Sequence, residues 1–433
     1  MKKQLFLYTC LVLCPGLLHA QRLSLHDAVT IALQNSLGIQ IAKNNVTAAG
    51  IYNSYGMAGG LPVVTASGSD LEQSTSIKQE YSNPANNKTS NNASSNNLSA
   101  SLNASMLLYN GSRVQNERKR LGMVEAQDRQ LLSSRALAVA YNVMLRYYDI
   151  IRQQSYAATL ATSITASRQK LDIVKARQSA GVANNADLFQ AQVDLNTQIQ
   201  NLQAQQLVID QAKTDLLTLL TLKPDSAIAI QDTILVDKNL DLATVLNAIG
   251  TNPDITAAGE QVTINEYLER ETAAQRYPSL SANAGYNFSH TKNAAGFSLL
   301  NQSYGPFAGI GVSIPIFNGS IYRKQQQVAD INVKNARLQK DTLSLNYTAN
   351  SVKSWQAYNN NLQQLETAKA NYDLSGKLLA LVLQRFELKQ ATIVDVKNAQ
   401  ESFENAGFLL VNVSFSAKAA ELRLKWYAHD LQY

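Results

Sequence analysis

Cysteine is almost absent from this 433-residue chain: Cys10 and Cys14 are the only two, and both fall within residues 1–20. The chain beyond them has no thiol for a disulfide, a thiolate metal site or a cysteine nucleophile. Histidine is nearly as scarce. His19, His26, His290 and His429 are scattered, and none stands at metal-ligand spacing with carboxylates. His290 is expected in a loop and His429 near a frayed end. No G-x-S-x-G elbow, P-loop or G-x-G-x-x-G turn occurs. These absences point away from an enzyme and from a resident cofactor or metal. The formal charge of +6 falls to +4 without Lys2 and Lys3, too mild an excess to argue for nucleic acid as a partner. No apolar run after residue 18 is long enough for a membrane-spanning helix. If the chain enters a membrane, it must do so as a β-barrel, because lipid offers no partner for unpaired backbone groups.

What is present begins with a secretory signal over residues 1–20: Lys2 and Lys3, an apolar run from Leu5 to Leu18, then His19-Ala20. Leu13, before Cys14, is larger than lipoprotein signals want at that position. The rest is duplicated. Arg177, Asp187, Ala191 and Gln192 return as Arg385, Asp395, Ala399 and Gln400, each 208 residues on. Tyr109-Asn110-Gly111-Ser112 returns as Phe317-Asn318-Gly319-Ser320 at the same 208. Two matches at one offset indicate a two-fold internal repeat. The first repeat is read as 21–222 and the second as 240–433, with 223–239 as linker.

Each repeat opens with a helical pattern. Leu25, Ala28, Val29, Ala32 and Leu33 keep helical spacing, as do Ile39, Ala42 and Val46 after a break expected near Gly38. Here the offset is 216: Ile39, Ala42, Val46 and Pro62 correspond to Ile255, Ala258, Val262 and Pro278. The first repeat therefore holds eight extra residues, 216 against 208, between Pro62 and Tyr109. They fall in 74–97, whose Asn, Ser and Lys predict a loop.

Strand pairs are expected at about 62–109 and 278–317. Leu98, Ala100, Leu102, Ala104 and Met106 alternate with Ser99, Ser101, Asn103 and Ser105. Segments 280–288 and 308–316 alternate in the same way, and 62–71, which alternates poorly, is inferred from its match to 280–288. Period two gives a strand with one apolar and one polar face. About ten residues per strand, with Tyr109, Tyr304 and Phe317 near the ends, fit a lipid-crossing barrel with aromatic girdles. A soluble sandwich with one wet face is the competing reading. Four strands cannot close a barrel, which needs about eight, so a membrane form would be completed by further copies of the chain.

The remainder reads as helix. From Ser112 to Ala180 there is no proline and one glycine, Gly122. Ala136, Val143, Ile150, Ala157, Ile164 and Leu171 sit seven apart, and Leu365, Tyr372, Leu379 and Phe386 repeat the spacing. This is a coiled-coil pattern; about seventy residues at 1.5 Å each give a helix on the order of 100 Å long. Gly181 is a natural stop, and Asn184 with Asp187, like Thr392 with Asp395, have N-cap spacing. The duplicated stretches at about 177–192 and 385–400 are thus helix–turn–helix tips. Asp187 and Asp395 fall in the first turn of the returning helix, where the helix dipole favours a carboxylate. Capping is one reading of them. The other is an acidic ring at an axial opening, which would select cations.

The set of motifs resembles the TolC-type outer-membrane efflux proteins over essentially the whole chain after the signal. It is carried by the duplicated R-x(9)-D-x(3)-A-Q tip, the turns L-L-Y-N-G-S and I-P-I-F-N-G-S, and the opening L-S-L-H-D-A-V-x-I-A-L-x-N. The resemblance implies a mixed membrane protein: a homotrimer whose four transmembrane β-strands per chain complete a twelve-stranded barrel in outer-membrane lipid. A long periplasmic α-helical coiled-coil barrel would end in tips that dock on a periplasmic adaptor linked to an inner-membrane pump. The implied function is the passive exit duct of a tripartite efflux or type I secretion system in a Gram-negative bacterium. A soluble periplasmic coiled-coil adaptor is the alternative. Carried over by position, Asp187 and Asp395 are pore-constriction candidates. Asn398 stands where the family has a second carboxylate, and Ala391 where it has a basic latch residue. Arg177, Gly181, Arg385 and Lys389 are candidates for adaptor contact, Lys389 replacing the usual tip glycine.

Overall fold

The computed structural model describes residues 21–296 and 298–432; the expected signal peptide lies outside the described residues. The elements follow in the order β1 (Gln21–Arg22), α1 (Leu25–Asn35), α2 (Leu37–Tyr52), β2 (Val63–Gln79), β3 (Lys88–Asn110), α3 (Arg113–Ser179), α4 (Asn185–Leu219) and β4 (Ile228–Ala229). Then come α5 (Leu242–Ala248), α6 (Pro253–Ala274), β5 (Ser279–Asn293), β6 (Leu300–Ser313), α7 (Ile321–Glu387) and α8 (Ile393–Tyr427). Helices α3 and α7 have 67 residues each, and α4 and α8 have 35 each. The chain divides into two compact units, each drawing on both halves of the sequence.

One unit, made from residues up to Ile41, Ser133–Asn252 and Leu345 onward, is helical. Most of its heptad positions are covered: Val143, Ile150, Ile164, Leu171, Leu365, Leu379 and Phe386 are buried, with Leu160 and Val174 between them, while Ala136, Ala157 and Tyr372 are half-buried. A stripe repeating every seven residues presents the same face to the neighbouring helices, which is why a long helix of modest hydropathy still packs. Near the short β1–β4 pair, Val29, Val143, Tyr147, Leu216 and Leu422 share one core. Tyr147 donates its hydroxyl to the Leu23 carbonyl at 2.9 Å and also bonds Asp232. Burial, then that carboxylate, push the Tyr147 phenol far above its ordinary pKa. The break between α1 and α2, expected near Gly38, falls at Ser36. Ser36 leaves helical dihedrals (ψ 118°), whereas Gly38 stays helical, and a Cβ there would stand 2.5 Å from the Arg135 guanidinium.

The other unit, Ala42–Leu132 and Pro253–Ser344, carries a four-stranded antiparallel sheet in the order β2-β3-β5-β6. The register lines up Ala66, Leu102, Tyr286 and Pro306 in one row, and Ser67, Ser101, Asn287 and Gly305 in the next. Successive rows alternate between an apolar and a polar face. Strands of 17, 23, 15 and 14 residues exceed the expected ten. Three expectations fail here. Most of 74–97 is strand, with only residues 80–87 between β2 and β3: polar side chains do not prevent pairing once a hairpin supplies partners, from Ser74↔Ser94 to Gln79↔Lys88. The last strand runs over Leu300–Ser313 rather than 308–316, because pairing with β5 sets its limits and Pro315 cannot donate to a ladder. His290 lies within β5, opposite Gln302, rather than in a loop. His429, by contrast, follows the end of α8.

Candidate functional site

The two duplicated tips lie in the helical unit. Helix α3 stops at Gly181, whose φ of +74° suits a residue without Cβ. The Gly181 N–H donates to the Gln178 carbonyl and the Val182 N–H to the Arg177 carbonyl, both at 2.9 Å. Helix α7 closes with the same pair of bonds: Lys389 N–H to Phe386 at 3.1 Å and Gln390 N–H to Arg385 at 2.8 Å. Both are Schellman turns. In the second, Lys389 carries a side chain at φ +60°.

The returning helices begin on caps. Asn184 Oδ1 accepts the Asp187 N–H at 2.7 Å. Thr392 Oγ1 accepts the Asp395 N–H at 3.1 Å, and the Asp395 carboxylate accepts from both the Thr392 N–H and its hydroxyl at 2.8 Å. The second tip is thus a full capping box. These bonds, the Thr392 backbone one foremost, hold the Asp395 carboxyl below the usual aspartate range. Among the described residues no hydrogen-bond or ion-pair partner takes the Asp187 carboxylate. It borders a hollow of about 220 Å³ lined also by Val174, Arg177, Phe386 and Ala391. Asn398 is exposed on α8.

Arg177 does not project from its tip. Its guanidinium lies 4.3 Å from the centre of the Phe386 ring and donates to the Phe386 carbonyl, tying α3 to α7. Arg385 donates to the Gln390 carbonyl of its own turn at 3.3 Å and stays exposed, as do Gly181 and Lys389. The Ala and Gln of the signature serve packing. Ala191 and Ala399 are buried beside Val174, Leu379 and Phe403. Gln400 is buried and donates to the Ser163 and Ser167 hydroxyls at 2.6 and 2.7 Å. Sequence reasoning missed the ion pair behind the first tip: Lys170, fully covered, bonds Asp194 at 2.6 Å, and Gln190 donates to the same carboxylate at 2.7 Å. A lysine directly beside heptad position Leu171 was the available signal.

The sheet supplies the second candidate surface. Its apolar face runs from Leu280 and Val312 through Ala284 and Ala308 to Phe288 and Tyr304. The eight-residue advance from Leu280 to Phe288 is about 27 Å along the strand at ~3.4 Å per residue. At the usual barrel tilt of about 40° it spans about 21 Å, most of an apolar band about 25 Å tall. Tyr109, Tyr286 and Tyr304 are exposed along this surface. Both outer strands, β2 and β6, have one unpaired edge. No helix among the described residues is long and apolar enough to cross a membrane.

Comparison with known proteins agrees with this geometry. A family model described as outer membrane efflux protein matches residues 28–221 and again 245–428. The chain is 23% identical over 299 residues to toxin and drug export protein A of Aggregatibacter actinomycetemcomitans, a match covering 67% of this chain and 64% of that one. It is 22% identical over 330 residues to the outer membrane efflux protein BepC of Brucella suis, covering 74% and 69%. The fold is shared with the outer membrane protein VceC of Vibrio cholerae, at TM-score 0.76 and 18% identity over 93% of this chain and 95% of that one. It is shared also with the CmeC outer membrane channel of Campylobacter jejuni, at TM-score 0.76 and 16% identity over 94% and 85%. With both halves matched by one family model and a channel fold in common, the chain belongs to the outer membrane efflux protein family.

Proposed function

We propose that this chain is the exit duct of a tripartite efflux or type I secretion system, working as a homotrimer in the outer membrane. The observation that carries the reading is the four-stranded sheet with one apolar face, one polar face and two free edges. In lipid each unpaired backbone group costs several kcal/mol, so β6 of one copy pairs with β2 of the next until three copies close a twelve-stranded barrel. The apolar face then meets lipid and the polar face lines water. The duct makes and breaks no bond in its cargo. It opens at the periplasmic tips, which dock on an adaptor joined to an inner-membrane pump.

Within this reading Asp187, Asp395 and Asn398 form the constriction. Gly181, Arg385 and Lys389 are the exposed adaptor contacts, while Arg177 shapes the surface through Phe386. The family match and the shared channel fold support the duct over a soluble adaptor. The test is the protein mass of the complex extracted from the outer-membrane fraction in mild detergent. Three chains are expected; a monomer released without detergent would sink the proposal. For the constriction, replacing Asp187 and Asp395 together by Ala is expected to change single-channel conductance and cation block in a protein still trimeric.

A further inference from the structure

From Thr65 to Thr75 of β2 and across their partners the sheet carries its charges on one face only; past the bulge Lys88 pairs with Gln79 on the other. The register sends Asp70, Glu72, His290 and Lys292 to the same side as Leu102 and Phe288. The opposite side, from Thr65 to Thr75 on β2 and across the partners on β3, β5 and β6, has no Asp, Glu, Lys, Arg or His among the described residues. Its large apolar residues are Leu71 and Phe307. The rest are small or polar, and several pair with one another, although the Asn103 side-chain oxygen is left without a partner. The Ser67 and Ser101 hydroxyls are 2.7 Å apart, those of Ser69 and Ser99 are 2.8 Å apart, and Thr291 donates to Asn97 at 3.2 Å.

A fixed charge on the wall of a confined aqueous path concentrates solutes of one sign and repels the other. A carpet of hydroxyls and amides has dipoles that reorient to suit either sign. We infer that the exit wall of the duct is blind to charge: cationic, anionic and neutral polar cargo cross it without electrostatic sorting, and the sheet adds no cation preference to that of the tip aspartates. The inference rests on the barrel proposed above and says which face of it cargo meets.

Cysteine substitution tests it cleanly, because the two native cysteines lie in the expected signal peptide. Trimeric Ser101→Cys protein in lipid vesicles is treated with two membrane-impermeant methanethiosulfonates of similar size, one cationic and one anionic. Each rate is divided by the rate on a free neutral thiol. Both reagents are expected to react, with normalised rates within about threefold of each other, since a charged cleft would separate them by tenfold or more. Leu102→Cys, one residue away on the other face, is expected to react with neither. Adding Ser99→Asp beside Ser101→Cys is expected to raise the cationic-to-anionic ratio about tenfold. Ser289→Cys repeats the measurement on β5 should Ser101→Cys not assemble. A tenfold difference without the added aspartate overturns the charge-blind wall, as does a ratio that Ser99→Asp leaves unmoved. Labelling of Leu102→Cys with protection of Ser101→Cys would instead overturn the assignment of faces, and a wild-type monomer in detergent would overturn the barrel itself.

Discussion

The two tips share letters and differ in how each letter is used. At the first, a glycine makes the turn and the cap is one-sided. The Asp187 carboxylate is uncommitted, and Lys170–Asp194 is buried behind it. At the second, a lysine is bent into the left-handed region and the Asp395 carboxylate is consumed by a capping box. The positions 208 residues on from Lys170 and Asp194 are Leu378 and Ser402, so that tip lacks the buried pair and has only the exposed Lys397–Glu401 contact at 3.9 Å. Arg177 reaches across to Phe386, while Arg385 closes its own turn. Duplication preserved what each hairpin needs in order to turn and left free what one hairpin does for the other. Of the two aspartates, Asp187 has the carboxylate left over for a role beyond the turn.

The comparison can be broken most severely at the ion pair. Asp194→Ala strands a buried ammonium and is expected to cost about 3 kcal/mol, since breaking a buried pair from one side leaves its charge uncompensated. Lys170→Met with Asp194→Leu together should return stability to within about 1 kcal/mol of wild type, an apolar pair of similar volume being an adequate replacement. Thermal unfolding followed by circular dichroism in detergent decides this, and equal losses in the single and double variants would refute the account.

Next come the arginines. Arg177→Ala is expected to cost about 2 kcal/mol through the lost ring contact and charge-assisted bond, against about 0.5 kcal/mol for exposed Arg385→Ala. The turns should respond in opposite directions: Gly181→Ala destabilises by about 1 kcal/mol and Lys389→Gly stabilises by a similar amount. The same melts measure both pairs.

The smallest effect is that of pH. The Asp395 carboxyl is held below its ordinary range by the cap, so it stabilises the folded chain above the unfolded value and ceases to do so as pH falls through the folded one. The difference between wild type and Asp395→Ala should be present at pH 6 and shrink as pH is lowered below about 4. A difference independent of pH would remove the capping role.

Both turns were legible in the sequence because a cap is a matter of a few adjacent residues: Asn184 with Asp187, Thr392 with Asp395, and Gly181 after the last covered heptad position. The apolar stripe of α3 was legible for the same reason, periodicity being local. The outer half of hairpin β2–β3 was not. Its outer rows of Ser, Thr and Asn look like a loop until each residue is seen beside a partner some twenty positions away, as Ser74 is beside Ser94. Lys170 finds Asp194 across a turn, and Gln400 finds Ser163 on a different helix 237 residues earlier. No window on the sequence contains such pairs.

In the proposed barrel the unequal hairpins have a consequence outside the cell. Pairing of β5 with β6 ends at Lys292↔Leu300, in line with Glu72, whereas β2 and β3 continue to Gln79↔Lys88. The seven further residues of β2 reach about 24 Å at ~3.4 Å each. In the proposed trimer three such posts would rise past the lipid, tipped by Pro84–Asn86 and built mostly from Ser, Thr and Asn around the exposed Lys78–Glu80 pair. They are the parts an antibody or a phage could grasp on a living bacterium. An epitope tag placed at that tip would report the duct at the surface while leaving its passage untouched.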